Sequence, residues 1–291
     1  MYSFDKGLLF SYANFVLRCN FGEKIVSEED SSSLAKDVEV LRISKNHCRQ
    51  TRVAVVREIP LTIFLNDREI ITLLCTGAHV ESLAVGFLKS EGLLQDRGSL
   101  ENVEVDKNRQ TVRVYTKEPT EMAEQLFGKR TLTSGCGKGT IFYNVLDSLQ
   151  SQPLKHQITI GADQVRKLMT ELHKRSELYR RSRGVHNCGI ATTERILIFR
   201  ADIGRHNAVD MILGECFLSE IETSNKILVT TGRITSEILI KAAKMQIPML
   251  ISRSAATSLS LDLANSLNMT VIGYVRGGSI LAYTGRENLI C

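Results

Sequence analysis

Apolar and polar residues alternate over 53–74, and this pattern predicts two strands joined by a turn at Asn66-Asp67. From residue 79 the apolar positions change to helical spacing and end at Gly92, which predicts a helix with a glycine C-cap. Residues 103–115 predict a second strand pair with a polar turn. The first half of the chain is therefore predicted to be rich in strands, with one helix.

The pattern changes from residue 158, where a helix over 162–179 is followed by strand-like runs that alternate with helical ones. The strand-like runs are GIATT, RILIFRADI, KILVTT, PMLISRS and TVIGYV, and the helical runs are NAVDMILGECFLSE, SEILIKAAKMQ and SLSLDLANSLN. Such alternation predicts βαβ units with a largely parallel sheet. Sheets of this kind bind ligands at the carboxyl ends of their strands, beside helix N-termini.

These patterns divide the chain into three predicted parts. Residues 1–48 form a partly flexible extension, because SEEDSSSLAKD is polar and charged. Residues 49–154 form the β-rich part, and residues 155–291 form the α/β part.

Composition narrows the class of protein. The 291 residues carry a modest net charge of +5, and the seven cysteines include no CxxC pair. No apolar run approaches the ~18 residues that span a bilayer, and the N-terminus lacks the charged start and cleavage site of a signal peptide. We expect a cytoplasmic protein with neither a membrane nor a nucleic-acid partner.

Cys136, in the segment TSGCGKG, is the candidate reactive thiol. Glycines on both sides allow unusual backbone angles, and Lys129, Arg130 and Lys138 favour the thiolate, which is the nucleophilic form. A buried cysteine beside a tight turn is the alternative interpretation of the same residues.

Three strand–turn–helix segments carry candidate anion-binding residues. ADIGRHNAVD, TTGRITSEILIKAA and ISRSAATSLSLDLA place cationic side chains and hydroxyls where a strand ends and a helix begins. The candidates are Arg205, His206, Arg233 and Arg253. Ordinary capped helices are the alternative, with Asp202 or Asn207 capping the first of them.

The last strand-like segment, YVRGGSILAYTG, combines Arg276 with Gly277 and Gly278, which lets the backbone approach a ligand closely. A β-hairpin turn explains the two glycines equally well. HNCG, at residues 186–189, lacks the HxE and PCxxC patterns of zinc deaminases, so we expect no zinc or other metal site and no deaminase activity.

Taken in order, DIGRHNAVD, TGRITSEILIKAA, ISRSAATSLSLDLA and GYVRGGSILAYTG resemble the formate dehydrogenase accessory sulfurtransferase family, FdhD. AVGFLKSEGLL and the TSGCG segment resemble it as well, and the likeness covers about residues 50–287.

The resemblance implies an α/β fold, with a cytidine-deaminase-like C-terminal domain that lacks the zinc site and a smaller β-rich α+β N-terminal domain. It implies a homodimeric sulfurtransferase that takes persulfide sulfur from a cysteine desulfurase. The sulfur goes to the bis-molybdopterin guanine dinucleotide cofactor, which formate dehydrogenase requires and which GDP mimics. The persulfide-forming residue maps onto Cys136, and the cofactor-binding stretch maps onto Tyr274, Val275, Arg276, Gly277, Gly278 and Ser279.

One departure from the family keeps a second hypothesis open. Many members carry CGxCG in the cysteine segment, whereas this chain has only Cys136 followed by GKG. Either Cys136 passes its sulfur directly to the cofactor, or another thiol assists, and Cys188 in the HNCG turn is the candidate. Alternatively, the protein is a non-catalytic chaperone that binds the molybdenum cofactor for formate dehydrogenase.

Overall fold

A computed structural model of the chain describes residues 33–45, 47–117 and 153–291, together with the backbone of 131–132 and 138–139. The first element is a hairpin of two ten-residue strands, β1 (Ala35–Ser44) and β2 (His47–Val56), which we call the arm. The sequence predicts no strand in residues 1–48, because the polar residues of β1 hide the alternation of a strand exposed on both faces.

The next four strands form a separate sheet with the order β4-β3-β6-β5. Both predicted strand pairs are present, and Asn66 makes the predicted turn with a φ of 54°. The predicted helix is α1 (Val80–Glu91), which ends at Gly92 with a φ of 80°. The strands are β3 (Ile59–Leu65), β4 (Arg68–Cys75), β5 (Leu100–Asp106) and β6 (Thr111–Thr116).

Two pairs of two-residue strands lie outside the larger sheets. β7 (Thr131–Leu132) pairs with β8 (Lys138–Gly139) antiparallel, and β9 (Ile160–Gly161) pairs with β16 (Leu289–Ile290) parallel. The sequence between β7 and β8, which contains Cys136, lies outside the described residues.

The second half is built on a six-stranded sheet, the main sheet, with the order β11-β10-β12-β13-β14-β15. The prediction of a largely parallel sheet is wrong, because two pairings are parallel and three are antiparallel. Helices join β11 to β12, β12 to β13 and β13 to β14, but the antiparallel strand β10 lies between β11 and β12, and β10–β11 and β14–β15 are hairpins. The strands are β10 (His186–Ala191), β11 (Ile196–Asp202), β12 (Ile227–Thr230), β13 (Met249–Ser252), β14 (Thr270–Arg276) and β15 (Ser279–Thr284).

Helices cover both faces of the main sheet, so the mixed α/β class is confirmed. One face packs on α2, and the opposite face packs on α4, α5 and α6. The helix predicted over 162–179 is interrupted at buried Ser176, whose hydroxyl donates to Asn187 Oδ1 at 2.7 Å and accepts from Tyr179 N. The helices are α2 (Ala162–Arg175), α3 (Glu177–Ser182), α4 (Arg205–Leu218), α5 (Ser236–Lys244) and α6 (Ser258–Ser266).

The two halves meet where α1 crosses α4. A β-carbon on Gly86 would lie 1.8 Å from Asp210 O, and one on Gly214 would lie 1.9 Å from Ser82 O. The two helix backbones are therefore in direct contact, and only glycine permits this approach. Met211 and Phe217 of α4 complete the core of the N-terminal sheet, so this core includes residues from both halves of the chain.

No described helix combines the length and the apolar character needed to cross a membrane. The cytidine-deaminase-like classification and the domain boundaries stay predictions.

We predict that Gly86→Ala lowers the free energy of unfolding by about 3 kcal/mol, because the added methyl group forces α1 and α4 apart. Gly214→Ala should have a similar effect, since its methyl group meets the same crossing. Urea unfolding of both single variants and the double variant measures this. The double variant should lose less than the sum, because one methyl group already separates the helices. Full additivity, or a gain in stability from better helix propensity, would contradict the contact.

Candidate functional site

The candidate residues of the C-terminal half lie along one edge of the main sheet, which we call the basic edge. β12, β13 and β14 are parallel, so their carboxyl ends reach this edge together. β10 begins there, and its first residue, His186, pairs with Asp202 at the end of β11. The loops that carry Arg205, Arg233, Arg253 and the stretch 274–279 therefore converge, as the sequence predicts for ligand loops of a sheet.

Hydrogen bonds tie these loops to one another. Ser252 Oγ donates to Gly232 O at 2.6 Å, and Ser254 Oγ donates to Thr231 O at 3.0 Å. Tyr274 N in turn donates to Ser254 O at 2.9 Å. Because the loop after β12, the loop after β13 and the end of β14 are hydrogen-bonded in turn, this part of the basic edge is a preorganised surface.

A cationic cluster forms where β10, β12 and α4 meet. Burial, followed by the charges of Arg205, His206 and Arg233, lowers the pKa of His186, so its neutral form is favoured at pH 7. Arg205 packs on Gly232, where a β-carbon would lie 3.0 Å from that of the arginine. The structure thus brings three of the predicted cationic residues together around His186.

Two neighbouring helices begin at the basic edge without a side-chain cap. Neither Asp202 nor Asn207 caps α4: the N-cap is Gly204, and no side chain accepts from the first turn. In the next helix, α5, the N-cap hydroxyl of Thr235 also makes no capping bond. Thr235 is 6% exposed, and its Oγ1 has no hydrogen-bond partner among the described residues. Helix starts without a side-chain cap favour an anion.

Asp202 does not make the predicted cap of α4 but accepts hydrogen bonds from both halves of the chain. It is fully buried, and its Oδ2 accepts from Thr76 N at 2.8 Å and from Thr76 Oγ1 at 3.0 Å. Its Oδ1 accepts from Gly204 N at 2.9 Å and from Asn207 Nδ2 at 2.8 Å. Burial raises the pKa of Asp202, although these hydrogen bonds oppose the increase. The carboxylate therefore joins the start of α4 to the end of β4, across the two halves.

The stretch 274–279 forms the turn between β14 and β15. Gly277 and Gly278 have φ of 56° and 81°, so the hairpin interpretation is correct, and a β-carbon on either would meet nothing within 4 Å. Tyr274 also has a positive φ of 55°, at an irregular position of β14. The Arg276 guanidinium lies 3.9 Å from the Tyr274 ring centroid, and both side chains are exposed. They form one flat, cationic surface.

Four further candidates on this edge differ in burial and in their partners. His206 Nε2 lies 2.9 Å from Glu237 Oε2 at the start of α5, so this histidine is paired across the two helix starts. Val275 is 5% exposed and packs in the core of the α2 face, so only its backbone can contact a ligand. Arg253 and Ser279 are exposed at the rim.

The sequence of this chain is similar to those of known proteins over most of its length. A family model described as the FdhD/NarQ family matches residues 56–290. This chain belongs to the FdhD/NarQ family. The "Sulfur carrier protein FdhD" of Bacillus pumilus is 41% identical over 235 residues, which cover 81% of this chain and 90% of that protein. The protein of the same name from Bacillus subtilis is 37% identical over 251 residues, covering 86% and 96%.

A solved structure agrees with this assignment. It is the crystal structure of a candidate formate dehydrogenase accessory protein from Desulfotalea psychrophila, with 25% sequence identity and a TM-score of 0.74. The likeness covers 88% of this chain and 100% of the other. The resemblance to the FdhD family inferred from the sequence motifs is therefore confirmed.

The cysteines of this FdhD/NarQ member differ in their exposure to solvent. Cys136 lies outside the described residues, so its predicted role stays a prediction. The hypothesis that Cys188 assists it is wrong: Cys188 is fully buried in β10, and burial raises the pKa of its thiol far above the ordinary value. A protonated, inaccessible thiol cannot exchange sulfur. Cys48 and Cys291 are the exposed thiols among the described residues.

Two residues of the edge were not predicted as binding residues. His186 was considered only as a metal ligand, yet it lies at the centre of the cationic cluster. Thr235 sits in TGRITSE, where a hydroxyl before a helix reads as an ordinary cap. The sequence shows the threonine, but it does not show that its buried hydroxyl lacks a hydrogen-bond partner among the described residues.

We predict that Asp202→Ala lowers the free energy of unfolding by about 3 kcal/mol, because it leaves buried donors of Thr76, Gly204 and Asn207 without an acceptor. Asp202→Asn should fall between Ala and wild type, since one amide oxygen still accepts while the amide nitrogen faces donors. Chemical unfolding monitored by circular dichroism tests both. Equal stability of the Asn variant and wild type would show that the second carboxylate oxygen is not required.

Proposed function

We propose that this chain is a sulfur carrier for formate dehydrogenase. It takes sulfur as a persulfide on Cys136 from a cysteine desulfurase and passes it to the bis-molybdopterin guanine dinucleotide cofactor held at the basic edge. The observation that carries the proposal is the convergence of four arginine-bearing loops and two uncapped helix starts on one sheet edge. Membership of a family whose relatives are named sulfur carriers supports it.

The first half of the reaction needs a nucleophilic sulfur. The Cys136 thiolate attacks the terminal sulfur of the donor persulfide, a new S–S bond forms, and the donor cysteine leaves as a thiolate. Lys129, Arg130 and Lys138 surround Cys136 in the sequence and favour the thiolate. This makes the chain a sulfurtransferase in the sense of a carrier that is loaded and unloaded.

The second half needs a site for a phosphorylated substrate. The dinucleotide cofactor presents diphosphates, which suit the N–H groups at the starts of α4 and α5 together with Arg205 and Arg233. The flat surface of Tyr274 and Arg276 suits a guanine ring, which stacks on aromatic and guanidinium planes. The open backbone at Gly277 and Gly278 lets a ligand approach closely. The donor groups present therefore fit this substrate.

The proposal includes a homodimer that works in the cytoplasm. Sedimentation velocity of the purified full chain tests the dimer directly, and a monomer over the working concentration range would remove that part while leaving sulfur transfer intact.

We predict that incubation with a cysteine desulfurase and cysteine adds one sulfur atom to the wild-type chain and none to Cys136→Ala. The reason is that Lys129, Arg130 and Lys138 favour the Cys136 thiolate, whereas the thiols of Cys75, Cys188 and Cys216 are protonated and inaccessible. Intact-protein mass spectrometry under non-reducing conditions is the measurement. Matched controls are Cys48→Ala and Cys291→Ala, which remove the exposed thiols and should still take up sulfur.

A sulfur gain in Cys136→Ala equal to that of wild type would transfer the role to another cysteine. Restoration of formate dehydrogenase activity by Cys136→Ser in a deficient strain would instead favour the non-catalytic chaperone.

We predict that Arg276→Ala weakens GDP binding about tenfold, equivalent to about 1.4 kcal/mol, because the stacked guanidinium is lost. Isothermal titration calorimetry measures the affinity. Arg286→Ala is the matched control, because Arg286 is exposed but follows β15 at the opposite edge of the main sheet. Identical affinities of wild type and Arg276→Ala would place the guanine elsewhere.

A further inference from the structure

The arm projects from the body beside the basic edge. At its base, Ala35 and Val56 pack in one cluster with Leu178 of α3, Val185 and Ile203. Val185 directly precedes His186 of the cationic cluster, and Ile203 directly precedes the start of α4. The arm joins neither larger sheet among the described strands, so both of its long edges are free of backbone pairing there.

The distal half of the arm is exposed on both faces. Every described residue from 41 to 50 is exposed, including Leu41 at 58% and Ile43 at 75%. Two strands without a third are marginally stable in water, and exposed aliphatic side chains of this size add to the cost. These residues, 41–45 and 47–50, are called the arm tip.

The charge of the arm tip has one sign. Arg42, Lys45 and Arg49 lie within it, and none of its described residues is a carboxylate. The ion pair of the arm, between Arg52 and Glu39 at 2.9 Å, lies closer to the base. The tip is therefore a cationic surface that also carries two large apolar side chains.

The register of β1 and β2 places two like charges opposite each other in the arm tip. Arg42 is the direct cross-strand partner of Arg49, and Ile43 is the partner of Cys48. Like charges placed opposite each other destabilise a strand pair. A carboxylate bound between the two arginines would convert this repulsion into two attractions, so the free arm is better suited to an acidic partner than to solvent.

We propose that the arm tip docks on the cysteine desulfurase that donates sulfur to the chain, at a surface of that protein that presents carboxylates around an apolar depression. The inference rests on the proposed function, because it gives the carrier a surface for the protein it must meet. Leu41 and Ile43 fill the depression, while Arg42 and Arg49 contact the carboxylates. A second copy is a poorer occupant, since two cationic tips repel.

The test compares charge-reversed chains as full-length proteins. Arg42→Glu/Arg49→Glu should reduce the rate of sulfur uptake from a cysteine desulfurase at low salt at least tenfold. Lys167→Glu/Lys174→Glu is the matched control, because it makes the same charge change on exposed positions of α2 and should leave this rate unchanged.

Two further measurements separate docking from other effects. Leu41→Ser/Ile43→Ser should reduce the same readout at every salt concentration, whereas the arginine effect should shrink as salt rises. Zero-length carbodiimide coupling should join Lys45 to a carboxylate of the partner, as mapped by mass spectrometry. Unchanged GDP affinity in all arm variants would show that they fold.

The proposal is overturned if both arm variants keep the wild-type rate of sulfur uptake while Cys136→Ala loses sulfur uptake. It is also overturned if sedimentation shows that the arm variants convert a wild-type dimer into monomers, because the occupant would then be a second copy. Failure of the wild type itself to take up sulfur would overturn the proposed function, which is a distinguishable result.

Discussion

The backbone contact between α1 and α4 is the constraint on which the arrangement of this molecule depends. Gly86 and Gly214 let the two helices approach until a methyl group on either would overlap a backbone atom of the other. Since α1 covers the N-terminal sheet and α4 covers the main sheet, this one crossing fixes the distance between the two sheets. α4 also begins at the basic edge, so the same helix that joins the halves presents the start of the candidate binding site.

Buried polar groups beside the crossing connect α4 to α1, to α5 and to β11. Lys241 Nζ lies 2.7 and 2.5 Å from the Asp210 carboxylate oxygens, directly beside the glycine contact. Glu215 accepts from Ser82 Oγ of α1 at 2.8 Å and from Arg200 Nη2 at 2.9 Å. Burial alone would raise the pKa of Glu215, but these bonds hold it below its usual value, so the carboxylate stays charged. Buried ionic groups of this kind contribute more to specificity of packing than to net stability, because desolvation offsets much of their attraction.

Local signals in the sequence were sufficient for the elements that local forces determine. The turn at Asn66, the helix that ends at Gly92 and the three helices after the arginine loops all appear where the pattern predicts them. The pattern did not distinguish antiparallel from parallel neighbours, since the buried strand β10 has the same apolar run in either pairing. The break at Ser176 and the role of Asp202 were also missed, because each depends on a partner distant in sequence. For the same reason the four cationic candidates were predictable as loop residues, but His186 and Thr235 became visible only in three dimensions.

Burial also limits which of the seven cysteines of this sulfur carrier can compete for sulfur. Burial raises the pKa of the Cys75 and Cys216 thiols to about 12, and it raises the pKa of the Cys188 thiol further still. Each therefore stays protonated near neutral pH and has no path to a donor. The fold thus removes three competing nucleophiles by packing them into cores. Because exchange requires both an accessible sulfur and a thiolate, selectivity among thiols follows from solvent access and local charge, and it needs no recognition of the cysteine itself.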